Sequence, residues 1–381
     1  MSCRAERLFE LGQSVWLDFI RRGPLLSGDF DRLVRESGVV GVTSNPTIFQ
    51  LAIGESDDYD AALGARIAEG LEGPALFEAL AIEDIQMACD RLRGVWERTG
   101  GRDGRVSLEV SPKLAHDTAA TVAEGRRLHA AVARDNVMIK VPATSEGLPA
   151  VTALIADGIS VNVTLIFSLA RHRQVLDAYL SGLERRAAAG GSLSEVYSVA
   201  SFFVSRVDAK VDAAIARAVE ALAPGDAART ELESLRGQAA VANARLAYAE
   251  FAAVSASPRF AALRSRGANV QRPLWASTST KNPAYPDTLY VDELIGPDTV
   301  NTMPPQTLVA FNDHGRPAVT IGRDLEAARA LFARLPELGV PIDRLIDQLE
   351  PEGVAAFAAS YDALLATLER RRREVAAGRG A

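Results

Sequence analysis

The chain has 381 residues, of which 48% are hydrophobic and 24% are charged, and it carries a formal net charge of −7. A chain of this length and apolar content can bury a core as large as that of one barrel domain. The acidic balance argues against nucleic acid and anionic membranes as partners, and no apolar run approaches the ~20 residues that cross a bilayer.

The patterns of cysteine, histidine and glycine argue against disulfides, metal sites and nucleotide-binding loops. Two cysteines, Cys3 and Cys89, lie far apart, so the chain has no disulfide framework and suits a reducing compartment. The polar N-terminus lacks the apolar region of a signal peptide, and we therefore expect a cytoplasmic protein. The four histidines show no metal-binding spacing and no phosphate-binding glycine loop follows a strand, so we expect neither a metal nor a nucleotide cofactor.

Short apolar segments alternate with helical segments along the chain. Eight segments have the composition of buried strands, namely 15–19, 39–45, 105–111, 137–141, 160–167, 197–205, 273–278 and 299–304. Eight strands that alternate with helices predict an α/β fold, a (β/α)8 TIM barrel with additional helices. A doubly wound open sheet is the alternative, because a strand count made from one sequence is easily wrong by one or two.

Helical composition fills the remaining stretches. The long gaps 50–104 and 206–271 both look helical, which favours extra helices over extra domains. The tail from about 324 to 376 is also helical, and it either packs on the barrel or covers its mouth. Its basic run 370–373 is interpreted as a solvated helix C-terminus. We therefore expect a single domain over residues 1–381.

Polar residues collect where the predicted strands end. The chemistry of a (β/α)8 barrel takes place at the C-terminal ends of its strands. Seven of the eight predicted strands deliver polar side chains there, namely Asp18, Thr43, Ser44, Asn45, Glu109, Ser111, Lys140, Asn162, Thr164, Ser201, Arg206 and Ser277. So many polar groups at one rim indicate a functional site.

Lys140 lies within the apolar run 137–141, where a buried parallel strand would normally be uninterrupted. Burial disfavours the ammonium form and so lowers the pKa of a lysine. The neutral amine is a nucleophile that forms Schiff bases with carbonyl compounds. The alternative is a structural ion pair with Glu109 as the obvious partner, because carboxylates are seldom buried unpaired.

A buried lysine beside two carboxylates suits one type of reaction. The amine attacks a ketone and loses water, and the protonated imine then accepts electrons as a neighbouring carbon–carbon bond breaks in a retro-aldol cleavage. One carboxylate must accept the proton of the hydroxyl on the departing carbon, and a second acid must manage protons as the imine forms. Asp18 and Glu109 supply these two groups.

Basic residues beyond the sixth and seventh strands suggest a phosphate-binding end. Arg206 and Lys281 lie there, with Ser277 and Ser279 adjacent to the lysine. The late loops of barrels often hold a phosphate group.

Several of these residues also have purely structural interpretations. Asp18 is suited to cap the segment that follows it, and Asn45 precedes a proline, which is typical of a turn. Arg206 has Asp208 and Asp212 close by in the chain, so an ion pair is the alternative to phosphate binding.

Eight segments carry motifs in a fixed order, namely VWLDFI (15–20), GVTSNPTIF (41–49), SLEVSP (107–112), NVMIKVPATSEG (136–147), SVNVTLIFS (160–168), SFFVSRVD (201–208), PLWASTSTKNP (273–283) and LYVDELIGPDTVNTMPPQTL (289–308). Taken together they resemble the transaldolase family, and the joint set is highly specific. The last two segments are similar to the long bacterial form, which also occurs as the transaldolase part of fusions with glucose-6-phosphate isomerase.

The resemblance implies a (β/α)8 barrel whose Schiff-base lysine is Lys140. It implies that Asp18 is the acid/base for carbon–carbon cleavage, and that Glu109 works with a water held by Thr164 as the imine forms and hydrolyses. The implied substrate-binding residues are Asn45, Asn162, Ser201, Phe203, Arg206 and Ser277.

The implied reaction moves a dihydroxyacetone unit from sedoheptulose 7-phosphate to glyceraldehyde 3-phosphate and needs no cofactor. The expected partners are sugar-phosphate substrates, with no nucleic acid and no membrane, and the chain is expected to be a monomer or homodimer. One departure concerns the phosphate end. Many relatives carry an arginine where this chain has Ser279, and Lys281 is the residue expected to supply the missing charge.

Three hypotheses follow. The first is a transaldolase, the second is a lysine aldolase that simply releases the three-carbon fragment, and the third is a non-catalytic barrel that binds sugar phosphates. The first two differ in whether product forms only when an acceptor aldehyde is supplied. The third predicts binding without covalent capture.

Overall fold

The computed structural model describes residues 3–378, with side chains described as far as residue 374. Eight parallel strands form the barrel: β1 (Gln13–Leu17), β2 (Val39–Val42), β3 (Arg105–Glu109), β4 (Val137–Pro142), β5 (Val161–Ile166), β6 (Ser198–Phe203), β7 (Gln271–Ala276) and β8 (Thr299–Met303). Each strand pairs with the next, and β8 pairs with β1, which closes the barrel. The predicted (β/α)8 fold is thus confirmed, and the open sheet is wrong. Residues 1–2 and 379–381 lie outside the described residues.

The strands fall where the apolar segments predicted them, although their ends differ by up to three residues. β1 and β7 begin two residues earlier than predicted, because Gln13 and Gln271 are buried and their side-chain amides donate hydrogen bonds inside the barrel. β2 ends three residues earlier than predicted, because the chain leaves the sheet to begin a helix that Asn45 caps.

Helices surround the barrel along the described chain. They are α1 (Arg4–Glu10), α2 (Arg22–Ser27), α3 (Asp29–Glu36), α4 (Pro46–Gly54), α5 (Asp60–Ala68), α6 (Gly73–Arg91), α7 (Arg93–Arg98), α8 (Thr118–Val132), α9 (Gly147–Asp157), α10 (Leu169–Ala188), α11 (Ser205–Ala221), α12 (Ala227–Ser234), α13 (Ala239–Ser255), α14 (Pro258–Arg264), α15 (Leu289–Asp292), α16 (Pro305–His314), α17 (Leu325–Glu337), α18 (Ile342–Asp347) and α19 (Leu349–Gly378). A 3₁₀ turn spans Pro112–Leu114. The two long gaps hold α4–α7 and α11–α14, so their predicted helical character is confirmed.

The N-terminal end of the barrel is held by a buried polar cluster around Asp103. Its carboxylate accepts hydrogen bonds from the Ser14 hydroxyl (2.8 Å), the Trp16 indole (3.0 Å) and the Arg272 guanidinium (3.0 Å). Asp103 is fully buried, and Arg272 nearly so. The Trp16 ring fits because β2 carries Gly41 opposite it, where an added Cβ would lie 2.6 Å from the indole. This cluster joins β1 and β7 to the loop before β3.

The last helix, α19, lies over the mouth of the barrel and packs against α4, α5 and α6. The predicted tail thus takes both placements that were left open, because α17 packs against α13 on the outside of the barrel while α19 covers the mouth. The run 370–373 is not simply solvated, because Arg371 donates to the carbonyls of Ile53 and Ser56 (3.0 Å each) and pairs with Asp60. The solvated interpretation was wrong for Arg371 because the helix crosses the loop that joins α4 to α5.

Within residues 3–378, no helix is both long enough and apolar enough to cross a membrane.

Replacing Asp103 with alanine is expected to lower the free energy of unfolding by about 3–5 kcal/mol. The substitution leaves the buried Arg272 guanidinium without its counter-charge, and breaking a buried pair in this way is strongly destabilising. Urea unfolding followed by circular dichroism measures the change. Asp135→Ala is the matched control, since that carboxylate is 72% exposed and its pair with Arg93 contributes little. Equal midpoints for the two variants would contradict a stabilising role for the cluster.

Candidate active site

Strand pairing places three predicted site residues side by side. Glu109 of β3 is the pairing partner of Lys140 of β4, and Lys140 is in turn the partner of Asn162 of β5. Paired residues of neighbouring strands present their side chains on the same face of a sheet. The register of the barrel therefore brings a carboxylate, an amine and an amide together in one row.

Lys140 lies in a buried and polar setting. Its Nζ is 3.2 Å from Glu109 Oε2, and both side chains are only 5% exposed. The ammonium also donates to the backbone carbonyl of Ser44 at 3.1 Å, while the Ser44 hydroxyl is anchored on the Ser107 carbonyl. The ring of Phe357 lies above it, with 5.5 Å between Nζ and the ring centroid. The ion pair between Lys140 and Glu109 is thus present, and it involves the same amine that was predicted to be the nucleophile.

Asp18 follows β1 directly and lies on the opposite side of the mouth. Its Oδ1 accepts a hydrogen bond from the Thr43 hydroxyl at 2.8 Å, and that hydroxyl is 2.6 Å from the hydroxyl of Thr302. Burial raises the pKa of the Asp18 carboxyl, against the opposing influence of Lys140, Thr43 and Lys281.

The two carboxyls share one neighbouring cation. Burial also raises the pKa of Glu109, and the Lys140 ammonium opposes this, while the negative charge of Asp18 adds to it. Both carboxyls are therefore easier to protonate than exposed ones, which suits groups that move protons.

A cavity of about 260 Å³ opens at this end of the barrel. Nine of the eleven predicted site residues line it, namely Asp18, Asn45, Lys140, Thr164, Ser201, Phe203, Arg206, Ser277 and Lys281. Glu109 lines a neighbouring cavity of about 380 Å³ and contacts this one through its ion pair with Lys140, and Asn162 lines neither cavity. Asp18, Lys140 and the basic residues thus share one cavity, and Glu109 meets it at Lys140.

Asn162 is fully buried and both ends of its amide are engaged. Its Nδ2 donates to the Ser107 hydroxyl at 3.0 Å, and its Oδ1 accepts from the Ser201 hydroxyl at 2.6 Å. Of this pair, only Ser201 lines the cavity.

Asn45 is a helix cap that also faces the cavity. Its Oδ1 accepts a hydrogen bond from the Ile48 amide and so caps α4, as the structural interpretation required. The residue also lines the cavity, and no hydrogen bond joins its Nδ2 to a described residue. The structural interpretation is thus confirmed, and substrate binding by Asn45 stays a prediction.

Thr164 is a buried hydroxyl without a hydrogen-bond partner among the described residues. Buried polar groups are nearly always hydrogen-bonded, and an exception calls for an explanation. The next residue, Leu165, has a φ of 61°, in the left-handed region that a branched side chain rarely adopts. Pairing between β5 and β6 is irregular at this point. Strained backbone of this kind clusters at functional sites.

Basic and hydroxyl groups gather at the far end of the cavity. Lys281 Nζ donates to the Ser279 hydroxyl at 2.6 Å, and the Ser277 hydroxyl is 2.8 Å from that of Ser205. The guanidinium of Arg206 lies 5.3 Å from the ring centroid of Phe203. This end of the cavity offers two cations and several hydroxyls.

Arg206 has no carboxylate partner within residues 3–374. Asp208 accepts from the Ala240 amide and the Tyr290 hydroxyl, and Asp212 accepts from the Gly237 amide and the Tyr285 hydroxyl, all on other elements. The ion-pair alternative for Arg206 is therefore wrong. Both carboxylates instead bind the start of α13 and the segment after β7, so neither is directed toward Arg206.

Among the cavity-lining residues that the sequence analysis did not single out, two contact residues of the site. Thr302 of β8 lines the cavity beside Thr43, and the only signal for it was a polar residue near the end of the eighth strand. Phe357 also lines the cavity, but it is one apolar residue in a helical segment far along the chain. No local pattern distinguishes it from the core residues around it.

Sequence comparisons identify the family to which the chain belongs. The model of the transaldolase/fructose-6-phosphate aldolase family matches residues 15–368. A Streptomyces coelicolor protein named Transaldolase 1 is 51% identical over 366 residues, covering 96% of this chain and 94% of the relative. A protein of Parafrankia sp. named Transaldolase is 50% identical over 372 residues, covering 97% and 98%. A second S. coelicolor protein, Transaldolase 2, is 46% identical over the full length of both chains. The chain belongs to the transaldolase/fructose-6-phosphate aldolase family.

Proposed function

We propose that this barrel is a transaldolase that moves a dihydroxyacetone unit through a Schiff base on Lys140. The donor is sedoheptulose 7-phosphate and the acceptor is glyceraldehyde 3-phosphate, and the products are erythrose 4-phosphate and fructose 6-phosphate. One observation carries the proposal. The buried Lys140 contacts Glu109 and lines one cavity with Asp18 and two basic residues. Burial raises the pKa of both carboxyls.

Imine formation requires a deprotonated amine and a route for water to leave. In our proposal Lys140 loses a proton to its carboxylate neighbour and attacks the ketone carbon of the donor. The carbinolamine then loses water to give a protonated imine. Glu109, which contacts the amine, moves these protons, with the unpartnered Thr164 hydroxyl holding the water that the step releases.

Cleavage requires a base on the other side of the imine. Asp18 takes the proton from the hydroxyl of the departing carbon, and the carbon–carbon bond breaks as its electrons flow into the imine. The aldehyde product leaves, and a three-carbon enamine stays on Lys140. The Thr43 hydroxyl holds the Asp18 carboxylate in place, and Thr302 holds Thr43.

Binding is divided along the cavity. The free amide group of Asn45 and the Ser201 hydroxyl, which Asn162 positions, would hold hydroxyls of the three-carbon unit. Arg206, Ser277 and Lys281 would hold the phosphate group at the basic end. Phe203 would form an apolar wall of the same cavity.

A simple aldolase uses the same lysine chemistry, and the family name includes one. The three relatives described above are named transaldolases, and this favours transfer over release. The distinguishing assay measures product with and without an acceptor aldehyde. A non-catalytic barrel is disfavoured because Lys140, Asp18 and Glu109 all lie in the site.

We further propose a cytoplasmic monomer or homodimer made of a single domain. Unpaired thiols at Cys3 and Cys89 suit a reducing compartment. One continuous apolar core extends from Ala5 to Leu368, which supports a single domain.

Borohydride reduction in the presence of fructose 6-phosphate is expected to add a sugar-derived mass to the peptide that contains Lys140. The variant Lys140→Arg keeps the charge but has no amine able to form an imine, so its turnover is expected to fall by at least about 10³-fold. Peptide mass mapping and a coupled assay measure the two effects. Lys113→Arg is the control, because that lysine is exposed and lies outside the cavity. An unchanged mass for the peptide that contains Lys140 would contradict the proposed mechanism.

Asp18→Asn is expected to form the imine but not to cleave it. The amide oxygen can still accept the Thr43 hydrogen bond, so the site keeps its shape while losing its base. With fructose 6-phosphate as donor, borohydride should then trap the whole six-carbon sugar on Lys140. The parent protein should also give a three-carbon adduct. Intact mass of the reduced peptide distinguishes the two species. A three-carbon adduct in the variant would assign the cleavage base elsewhere.

Lys281→Ala is expected to raise the KM for glyceraldehyde 3-phosphate about tenfold. A hydrogen bond to a charged group contributes ~1.5–3 kcal/mol, and the exposed position of Lys281 favours the lower end. The KM for unphosphorylated glyceraldehyde should be unchanged, because the lost charge has no phosphate to bind there, whereas the effect of Lys281 on the pKa of Asp18 is common to both acceptors. Arg32→Ala removes the same charge from an exposed helix and is the control. An equal loss for both acceptors would rule out a phosphate-binding role.

A further inference from the structure

The helix that covers the mouth places one aromatic ring against the reactive nitrogen. Phe357 of α19 is buried, lines the cavity, and has its ring centroid 5.5 Å from Lys140 Nζ. Its neighbours in the cavity are mostly polar, including Asp18, Thr43 and Thr47. Phe357 is therefore an apolar surface on the solvent side of a mostly polar site.

The position of this ring is set by contacts on both sides of it. One turn earlier in α19, Gly353 lies so close to β5 that an added Cβ would come within 3.0 Å of the Leu165 side chain. At the start of the helix Glu350 pairs with Arg171 at 2.8 Å. One turn after the ring, Ser360 accepts a hydrogen bond from Thr47 at 2.8 Å. The helix is thus anchored by groups other than the ring, and a change of the ring leaves these anchors in place.

The enamine left on Lys140 has two possible fates. In transfer, its nucleophilic carbon attacks the aldehyde carbon of the acceptor, whose oxygen takes a proton as the new carbon–carbon bond forms. Water then hydrolyses the resulting imine, which breaks the carbon–nitrogen bond and releases the product. In loss, the enamine carbon takes a proton instead, and hydrolysis of the three-carbon imine releases free dihydroxyacetone and the lysine amine. Both routes end in hydrolysis, but in loss water acts before an acceptor is captured, and in transfer it acts only after the new bond has formed.

We propose that Phe357 decides between these fates by keeping bulk water away from the nitrogen of Lys140, so that only water held inside the site reaches the imine. The ring covers the amine from the solvent side and faces a cation whenever the nitrogen is protonated, which is a favourable contact. Exclusion of water from a closed site suppresses the hydrolysis of a reactive intermediate. This inference rests on the proposed function, since it concerns the intermediate of that reaction.

Two substitutions of similar size test the role of the ring. Phe357→Leu keeps an apolar cover, whereas Phe357→Gln puts a polar amide that binds water in the same place. The quantity measured is the ratio of free dihydroxyacetone to transferred product, with fructose 6-phosphate as donor and erythrose 4-phosphate as acceptor. This ratio does not depend on how much of each variant is folded. Leu364→Ala is the control, because it loosens the same helix at a buried residue outside the cavity.

We expect Phe357→Gln to raise the ratio about tenfold, which corresponds to ~1.4 kcal/mol in relative barrier height. Phe357→Leu and Leu364→Ala should leave it near that of the parent protein. An unchanged ratio in Phe357→Gln, or an equal rise in the leucine variant or in the control, would overturn the proposal. Borohydride trapping is run in parallel. Loss of the adduct on Lys140 in the parent protein would instead refute the proposed function, so the two failures are distinguishable.

Discussion

The buried charge of Lys140 is the constraint on which the rest of this protein depends. Moving an ammonium and a carboxylate from water into a protein interior costs several kcal/mol for each ion, and their attraction offsets this only when the geometry is good. Here the compensation comes from three separate parts of the chain. Glu109 lies on the neighbouring strand, the Ser44 carbonyl lies in the loop after β2, and Phe357 lies on the last helix. A closed barrel with a covering helix is what brings these groups to one nitrogen.

The two ends of the barrel use buried charge in opposite ways. At the N-terminal end both oxygens of Asp103 accept hydrogen bonds, and the cluster stabilises the closure of the barrel. At the C-terminal end burial raises the pKa of Asp18 and of Glu109, and the Thr164 hydroxyl has no partner among the described residues. Groups left under-satisfied in this way cost stability but are ready to move protons and to bind substrate, which is the usual compromise at a functional site.

The strands were predictable because a buried parallel strand needs a short apolar run, and such runs are visible locally. Their ends were less predictable, because polar residues such as Gln13 and Gln271 belong to the strands only through hydrogen bonds made inside the barrel. The same limit applies to single site residues. Whether Arg206 pairs with a nearby carboxylate depends on where its helix turns, and no run of residues records that direction.

The site around Lys140 separates what the sequence determined from what the tertiary structure decided. By itself the sequence determined the order of the strands, the polar residues at their ends and the chemistry that a lysine with two carboxylates supports, because these follow from local composition and from motifs in a fixed order. Only the tertiary structure decided that Asn162 supports Ser201 from beneath the cavity, and that Phe357 covers the nitrogen. These are contacts between residues distant in the chain, and the closure of the barrel and the path of its last helix alone bring them together.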